Sequence, residues 1–310
     1  MRAASKVILV RPTGFAFDPQ TADSNAFQQE MPGDVRKAAA EEFDRLLDAL
    51  RHCGIGVTVL DPADPEAPNS VFPNNWFSTH AGGTLVLYPM YTPSRRVERH
   101  PRLKELLAQE GSLVRQVKDL SFLEERAEFL EGTGSLVLER GSRLAFACLS
   151  PRTTEYALKE WCRRMEYTAV PFTATMDGKL NGAPIYHTNV VMSIGERFAL
   201  VCLDAIPYPA ERQEVEEELL KAGKEIIPID LAQMHAFVGN LLQLRGRPLD
   251  PKVGEDRFVF LSSTAFKALR PEQRLSLQRH GQLVPVDIPT IEIIGGGSVR
   301  CMLAEDLLGK

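Results

Sequence analysis

Five apolar segments of this sequence each end in a cluster of polar residues, and that arrangement limits the folds that the chain can adopt. The segments are VILVRPTGF (7–15), VFPNNWFSTH (71–80), FLEGTGSLV (129–137), IYHTNVVMSI (185–194) and IEIIGGGSVRCM (291–302). They are too dissimilar to be identified as sequence repeats. We expect such segments where several strands converge and present their polar residues at one opening.

Helical and strand-like patterns alternate along the chain. Asp34 can cap a helix that begins at about Val35, and Gly54 follows the end of that helix. Further helices are predicted near 95–109, 153–166, 209–222 and 271–280. Strands are predicted at 7–10, 55–60, 144–149, 198–203 and 257–262. This alternation predicts an α/β fold.

The composition and charge argue against several classes of protein. A net charge of −5 and a pI near 5.8 do not suit a nucleic-acid-binding protein, because phosphate contacts need a basic surface. No apolar stretch approaches the roughly 18 residues that a membrane span needs. The five cysteines include no CxxC pair, and the start of the chain reads as a strand rather than a secretion signal. We therefore expect reduced thiols and a cytoplasmic protein.

Cys301 differs from the other four cysteines because it follows three glycines, a serine and an arginine in GGGSVRCM (295–302). Glycines lack side chains, so a ligand can approach their backbone closely. The thiolate is the reactive form of cysteine, and it needs nearby positive charge or a paired base. Arg300 could supply charge, although adjacent residues of a strand point to opposite faces. The alternative interpretation is a glycine-rich turn with a buried thiol.

Two other motifs could supply a base and a carboxylate. YHTNVVM (186–192) places His187 in a predicted strand with Asn189 on the same face. FLEGTGSLV (129–137) places Glu131 at the end of an apolar run, before Gly-Thr-Gly. Each motif alone also fits a structural role, as a hydrogen-bonded core histidine or as a carboxylate that caps a loop.

The segment FPNNWFSTH (72–80) concentrates Asn74, Asn75, Trp76 and His80, which are more polar groups than a turn requires. Metal and nucleotide sites are not indicated. The sequence has no HExxH, no CxxC pair and no EF-hand loop, and the glycines at 295–297 have neither the Walker nor the GxGxxG spacing. We therefore expect no cofactor and no metal.

Six motifs taken together resemble the arginine deiminase and amidinotransferase superfamily, and most closely its citrulline-hydrolase branch. In chain order they are FPNNWFSTH, PMYTPSRRVER, FLEGTGSLV, SPRTT, YHTNVVM and GGGSVRCM, spanning residues 72–303. The resemblance implies a single catalytic domain over residues 1–310. It also implies the pentein fold, a five-bladed, pseudo-symmetric α/β propeller around a central polar channel.

The same resemblance implies roles for individual residues. The superfamily nucleophile falls on Cys301, the general acid/base histidine on His187 and the catalytic carboxylate on Glu131. The groups that hold the amino-acid head group fall on Asn74, Arg95 and Arg152. Their neighbours Asn75 and Arg96 are counted with them as substrate-binding candidates.

Two departures from the superfamily pattern point to the charge of the substrate. His80 and Asn189 occupy places where arginine deiminases carry aspartates that clamp a guanidinium. Burying a guanidinium without such a carboxylate is expensive, since breaking a buried pair costs roughly 3–5 kcal/mol. A neutral ureido group needs no countercharge, and Asn189 and His80 can both hydrogen-bond to it. These departures favour citrulline over arginine, with His80 and Asn189 as substrate-binding residues.

The sequence therefore predicts a cofactor-independent hydrolase that cleaves citrulline to ornithine, carbon dioxide and ammonia through a thioester on Cys301. We expect a small-molecule amino-acid substrate and no nucleic-acid or membrane partner, and a homo-oligomer is left open. The alternatives are an arginine or dimethylarginine hydrolase, a deiminase or an amidinotransferase on the same fold, or a degenerate member that only binds an amino acid. A papain-like protease is disfavoured by chain order, because its cysteine lies near the mature N-terminus.

Overall fold

The computed structural model describes residues 2–247, 254 and 256–309. Its strands are β1 Lys6–Val10, β2 Gly56–Leu60, β3 Phe77–His80, β4 Thr84–Leu87, β5 Gln116–Asp119, β6 Val137–Glu139, β7 Leu144–Cys148, β8 Thr168–Phe172, β9 Met192–Ile194, β10 Phe198–Val201, β11 Glu225–Pro228, β12 Leu242–Gly246, β13 Asp256–Ser262, β14 Gln282–Val286 and β15 Ala304–Glu305.

The α-helices are α1 Pro19–Ala22, α2 Val35–His52, α3 Pro93–Arg96, α4 Leu103–Gln109, α5 Gly132–Ser135, α6 Glu155–Met165, α7 Thr188–Val191, α8 Pro209–Lys221, α9 Leu231–His235, α10 Ser263–Ala268, α11 Pro271–Gln278 and α12 Pro289–Gly295. Short 3-10 turns occupy Pro73–Asn75, Ser121–Arg126, Leu203–Ala205 and Val299–Met302. No helix in these ranges is both long enough and apolar enough to cross a bilayer.

The described strands form five three-stranded sheets that share one plan. In each sheet the first strand is antiparallel to the middle strand, and the middle strand is parallel to the third. A parallel pair needs a crossover connection, and helices supply it between the second and third strands of every sheet. The predicted α/β fold and the five-bladed, pseudo-symmetric propeller are confirmed.

Blade 1 contains the two ends of the described chain. Its strands are β15, β1 and β2, so the last strand pairs with the first, with Ile8 opposite Ala304. Blades 2 to 5 are continuous in sequence and consist of β3–β5, β6–β8, β9–β11 and β12–β14. First strands of adjacent blades pack together, as β15 does with β3 and β9 with both β6 and β12. The ring is therefore closed by β15.

Burial explains why the middle strands and one face of the long helix α2 are apolar in sequence. Every residue of β7 (LAFAC) and β10 (FALV) is buried, because both faces of these middle strands are covered. In α2, Asp34 accepts a hydrogen bond from the Lys37 amide at 3.1 Å, as predicted for its N-cap. The same helix buries Phe43 and Leu50.

One predicted helix is wrong in extent. Residues 95–109 form two helices, α3 and α4, separated by residues 97–102. Pro101 explains the break, because proline disfavours helical backbone at the residue before it and cannot donate an amide hydrogen bond. The break ends α3 immediately after Arg95 and Arg96, which matters for the site.

Candidate active site

Short turns with buried polar residues precede the first strand of each blade. These turns are Pro73–Asn75 before β3, α5 before β6, α7 before β9, Val299–Met302 before β15, and residues 237–241 before β12. The turn Pro73–Asn75 packs against α5 and Val299–Met302, and α5 packs against α7. The fold thus gathers polar residues from all five blades at one end of the central channel.

Glycines in α5 let two of these turns approach closely. A Cβ atom on Gly134 would lie 2.5 Å from Asn75 Nδ2 and 2.7 Å from His187 Nδ1. Gly132 has a φ of +49° and faces the Asn74 carbonyl oxygen, which would be 2.2 Å from an added Cβ. Only glycine fits these positions, so the Gly-Thr-Gly sequence is a packing requirement of the site.

His187 and Glu131 form a buried hydrogen bond whose donor can be assigned. His187 Nε2 lies 2.8 Å from Glu131 Oε2, and both side chains are almost fully buried. Despite its burial, Glu131 has a pKa lowered to about 2, because Arg152, His187 and Arg95 favour its charged form. An ionised carboxylate only accepts, so Nε2 carries the proton and leaves Nδ1 as the acceptor of the neutral ring. Burial lowers the pKa of His187 to about 4, against the opposing effect of Glu131.

Cys301 lies in the turn Val299–Met302, and its amide donates to the Ser298 carbonyl at 2.9 Å. Two side-chain amides contact its sulfur: Asn189 Nδ2 at 3.4 Å and Asn240 Nδ2 at 3.3 Å. The Arg300 guanidinium points elsewhere, since Nη1 donates to the Leu303 carbonyl at 2.8 Å. The polar contacts of this sulfur are therefore uncharged.

Two buried arginines stand beside the pair formed by His187 and Glu131. Arg95 binds both carboxylate oxygens of Glu98 at 2.8 Å and donates to Asn75 Oδ1 at 2.7 Å. Arg152 lies 3.4 Å from Glu131 Oε2 and stacks over the Tyr186 ring. Both guanidinium groups are thereby fixed in orientation.

A narrow cavity connects these groups. It is lined by Thr21, Asn25, Asn69, Phe72, Asn75, Arg95, Arg152, Tyr186, His187, Gly295, Gly296, Gly297 and Cys301. The segment 18–28 covers it: Thr21 O accepts from Arg152 Nη2 at 2.8 Å, and Asn25 Nδ2 donates to Gly296 O at 3.2 Å. The cavity is therefore lined by the thiol, the imidazole and two cations together.

Five of the ten candidates do not line this cavity: Glu131, Asn74, His80, Arg96 and Asn189. Glu131 and Asn189 still contact His187 and Cys301, which do line it, whereas His80 and Arg96 have other partners. His80 is at the far end of β3 from the Asn75 turn, bonded to Ser78 Oγ at 2.8 Å and near Trp161. Arg96 turns outward to Glu124, with 3.4 Å between Nε and Oε2. The reasons are geometric, because several strand residues separate His80 from the turn and successive helical residues point about 100° apart. Arg95, rather than Arg96, lines the cavity.

Several buried amide atoms among the candidates have no hydrogen-bonding group within reach in the described residues. They are Asn74 Nδ2 and Oδ1, Asn75 Nδ2 and Asn189 Oδ1. Unsatisfied buried polar atoms cost about 1–3 kcal/mol each, so they are uncommon in folded proteins. All of these atoms are uncharged. No group of three or more His, Cys, Asp and Glu side chains in the described ranges is arranged to hold a metal ion.

Sequence reasoning missed Asn240, which approaches Cys301 from blade 5. It belongs to the segment AFVGNLLQLR (236–245), which also leads from a polar residue into a first strand. Segment 7–15 differs from the other polar-ended segments, because it contains β1, the middle strand of blade 1. The signal for Asn240 was a single amide in an apolar run shortly before its strand, two residues ahead of β12, where Cys301 is three residues ahead of β15.

Blade architecture and the convergence of a cysteine, a histidine and a carboxylate at its centre define the class: this is a member of the arginine deiminase and amidinotransferase superfamily. The sequence profile of the family described as N,N dimethylarginine dimethylhydrolase, eukaryotic, matches residues 11–308, and the chain belongs to that family. A search of curated proteins by sequence found no match.

Solved structures share the fold at low sequence identity. The apo structure of ArgZ, an arginine dihydrolase from the ornithine-ammonia cycle in cyanobacteria, aligns with a TM-score of 0.74 and 15% identity, covering 98% of this chain and 41% of that one. The substrate-bound N-terminal domain of ArgZ aligns with a TM-score of 0.72 and 14% identity over 98% and 99%. A dimethylarginine dimethylaminohydrolase adduct with S-methyl-L-thiocitrulline aligns with a TM-score of 0.65 and 15% identity over 97% and 99%. The chain spans under half of full-length ArgZ.

Proposed function

We propose that this protein hydrolyses the ureido group of citrulline, with residues 1–310 acting as one catalytic domain without a cofactor. The observation that carries the proposal is a set of unpaired, uncharged amide atoms: Nδ2 of Asn75, which lines the cavity, Oδ1 of Asn189, whose Nδ2 contacts Cys301, and the amide of adjacent Asn74. Amide groups offer both donors and acceptors, which match the N–H and C=O groups of a urea. They offer no countercharge to a guanidinium.

The chemistry uses three residues. His187 Nδ1 takes the proton of the Cys301 thiol, and the sulfur adds to the ureido carbon. His187 then returns the proton to the leaving nitrogen as the C–N bond breaks, which leaves a carbamoyl thioester. Water loses a proton to His187 and attacks the thioester carbon, and the thiol is regenerated. The carbamate released decomposes, so citrulline and one water give ornithine, carbon dioxide and ammonia.

Glu131 orients His187 and stabilises the imidazolium that forms twice in each cycle. Their 2.8 Å contact occupies Nε2 and leaves Nδ1 as the ring nitrogen that can take up a proton. Arg95 and Arg152 are suited to bind the α-carboxylate, because guanidinium groups already fixed by Glu98 and Tyr186 lose little freedom on binding. The substrate is then held at both ends.

A guanidino substrate is the second candidate, favoured by the relatives, which are named for arginine and dimethylarginine. The two candidates are distinguished by incubating the protein separately with citrulline, arginine and dimethylarginine, and assaying ornithine, citrulline, ammonia and dimethylamine. We expect ornithine from citrulline. The Cys301→Ser variant is the control and should form no product. Turnover of arginine or dimethylarginine but not of citrulline would overturn the proposal.

The charge argument has its own test in the Cys301→Ser background, where binding is measured without chemistry. Adding Asn189→Asp replaces one of the three unpaired amide groups with a carboxylate. We expect the ratio of citrulline affinity to arginine affinity to fall about tenfold or more, since a buried carboxylate disfavours a neutral group and pairs with a cation. A ratio that stays constant in calorimetry would show that Asn189 does not face the end group.

A further inference from the structure

Asn240 contacts the Cys301 sulfur, and the mechanism proposed above assigns it no task. Its side chain is fully buried, and Nδ2 lies 3.3 Å from Sγ. We propose that Asn240 is a catalytic residue, whose amide stabilises the Cys301 thiolate that attacks the substrate. The inference rests on the proposed role of Cys301 as nucleophile, but it does not depend on whether the end group is a urea or a guanidine.

The direction of the Asn240 amide is fixed by its other two contacts. The Arg300 backbone N–H can only donate, and it lies 3.0 Å from Asn240 Oδ1. The Asn189 backbone carbonyl can only accept, and it lies 3.0 Å from Nδ2. Exchanging the oxygen and nitrogen of the amide would break both hydrogen bonds. One N–H of Nδ2 is therefore committed to Asn189 O, and the second faces the sulfur.

A donor in this place favours the charged form of the sulfur. A thiol is a weak acceptor, whereas a thiolate accepts a charge-assisted hydrogen bond that is roughly twice as strong as a neutral one. The guanidinium of neighbouring Arg300 hydrogen-bonds the Leu303 carbonyl and lies 3.7 Å from Glu305, so it acts on the sulfur through space, whereas Asn240 donates to the sulfur directly. Asn240 transfers no proton. It keeps both amide hydrogens while the thiol proton moves to His187.

The two asparagines at the sulfur differ in their freedom. Asn189 also donates to Sγ, at 3.4 Å, but its Oδ1 has no partner among the described residues. Its amide can therefore reorient towards a substrate. Asn240 has both ends occupied by backbone groups and cannot reorient without losing them. Asn240 is thus the permanent donor to the thiolate.

The test is the pH dependence of Cys301 alkylation by iodoacetamide in the absence of substrate. Alkylation forms a bond between sulfur and carbon and releases iodide, and it proceeds through the thiolate. Asn240→Asp keeps the acceptor for the Arg300 N–H but removes the donors to sulfur, and Asn240→Leu removes both. We expect the midpoint of the pH–rate profile to rise by about one pH unit in either variant, so that alkylation at neutral pH slows about tenfold.

Gln243→Leu is the matched control, since Gln243 is a buried amide of the same blade that bonds Glu196 N and His280 O and does not touch Cys301. Its profile should coincide with that of the wild type. If the Asn240→Asp profile also coincides with the wild type while Asn240→Leu is shifted, Asn240 only holds the backbone and the inference is wrong. Peptide mapping of the alkylated site separates the two proposals: absence of labelling at Cys301 would overturn the proposed nucleophile, whereas unshifted labelling would overturn Asn240 alone.

Discussion

Two buried histidines of this protein share a lowered pKa and differ in what surrounds them. His187 pairs with Glu131 at the cavity. His80 packs beside Trp161, and burial together with Arg140 and Lys118 lowers its pKa to about 3. A perturbed pKa is therefore no sign of catalysis by itself, because desolvation produces it equally in a structural residue.

His80 should make the protein sensitive to acid without affecting catalysis. The unfolded chain takes up a proton near pH 6.5 that folded His80 accepts only near pH 3. Its contribution to stability is complete above pH 6.5 and is lost as the pH falls, by about 1.4 kcal/mol per pH unit. In His80→Gln, the slope of unfolding free energy between pH 5 and 6.5 should decrease, measured by urea denaturation, with the KM for substrate unchanged.

Exposed His52 at the end of α2 supplies the comparison, since His52→Gln also removes one histidine but takes nothing from the core. An equal change of slope in both variants would mean that the burial of His80 is not the cause. A raised KM in His80→Gln would instead return His80 to the substrate site.

The sequence motifs indicated the residues that meet at the cavity better than they indicated the residues around them. Cys301, His187, Glu131 and Arg152 come together because each lies at a fixed position within a motif that ends at the channel. His80 does not join them, because β3 carries its side chain away from the turn that precedes the strand. A histidine in place of the superfamily aspartate predicts a change of substrate only if that side chain reaches the site. Asn240 was not predicted, because one amide in an apolar run has no periodic signature.

At the scale of elements, α5 controls the spacing between two blades. Gly134→Ala would place a methyl group within 3 Å of Asn75 Nδ2 and the His187 ring. Both contacts are side chains, so the fold should survive while the imidazole shifts. A displacement of about 1 Å can cost a factor of about 100 in rate, and we expect a loss of that size in kcat. Steady-state kinetics with near-ultraviolet circular dichroism would measure both effects.

Gly254→Ala is the control, because no atom of the residues that the structure describes lies within 4 Å of its added Cβ. Equal kcat values for the two alanine variants would mean that His187 and Asn75 adjust freely and that α5 does not set their positions.

The start of a helix was easier to predict from the sequence than the pairing of strands that are far apart in the chain. Asp34 marked the start of α2 because a side-chain cap is a local signal. The antiparallel pairing of β15 with β1 joins residues from opposite ends of the chain, and no local pattern encodes it. The number of blades followed from the resemblance, whereas the assignment of strands to blades required the structure.

For the whole molecule, closure of the ring depends on Glu305 in β15. Its carboxylate lies 2.9 Å from Arg140 of blade 3 and 3.7 Å from Arg300, and these charges hold its pKa below the usual value. Glu305→Gln would leave two largely buried arginines without a carboxylate, which costs about 3–5 kcal/mol. The urea midpoint of unfolding should fall accordingly.

Glu166→Gln provides the surface comparison, because Glu166 and its partner Arg143 are both exposed. Its effect should stay below about 1 kcal/mol. Similar midpoints for the two variants would mean that Arg140 and Arg300 find other acceptors and that Glu305 does not secure the ring.

The pairing of β1 with β15 also determines when blade 1 can be completed during synthesis of the polypeptide. Ile8 leaves the ribosome about 300 residues before its neighbour Ala304, an interval of about 15–60 s at ordinary rates of synthesis. During that time β1 has one edge without its antiparallel neighbour, which is a hazard for aggregation. Cys301 is made in the same final stretch as β15. The nascent chain therefore acquires the sulfur that we propose as the nucleophile only when the exposed edge can be covered.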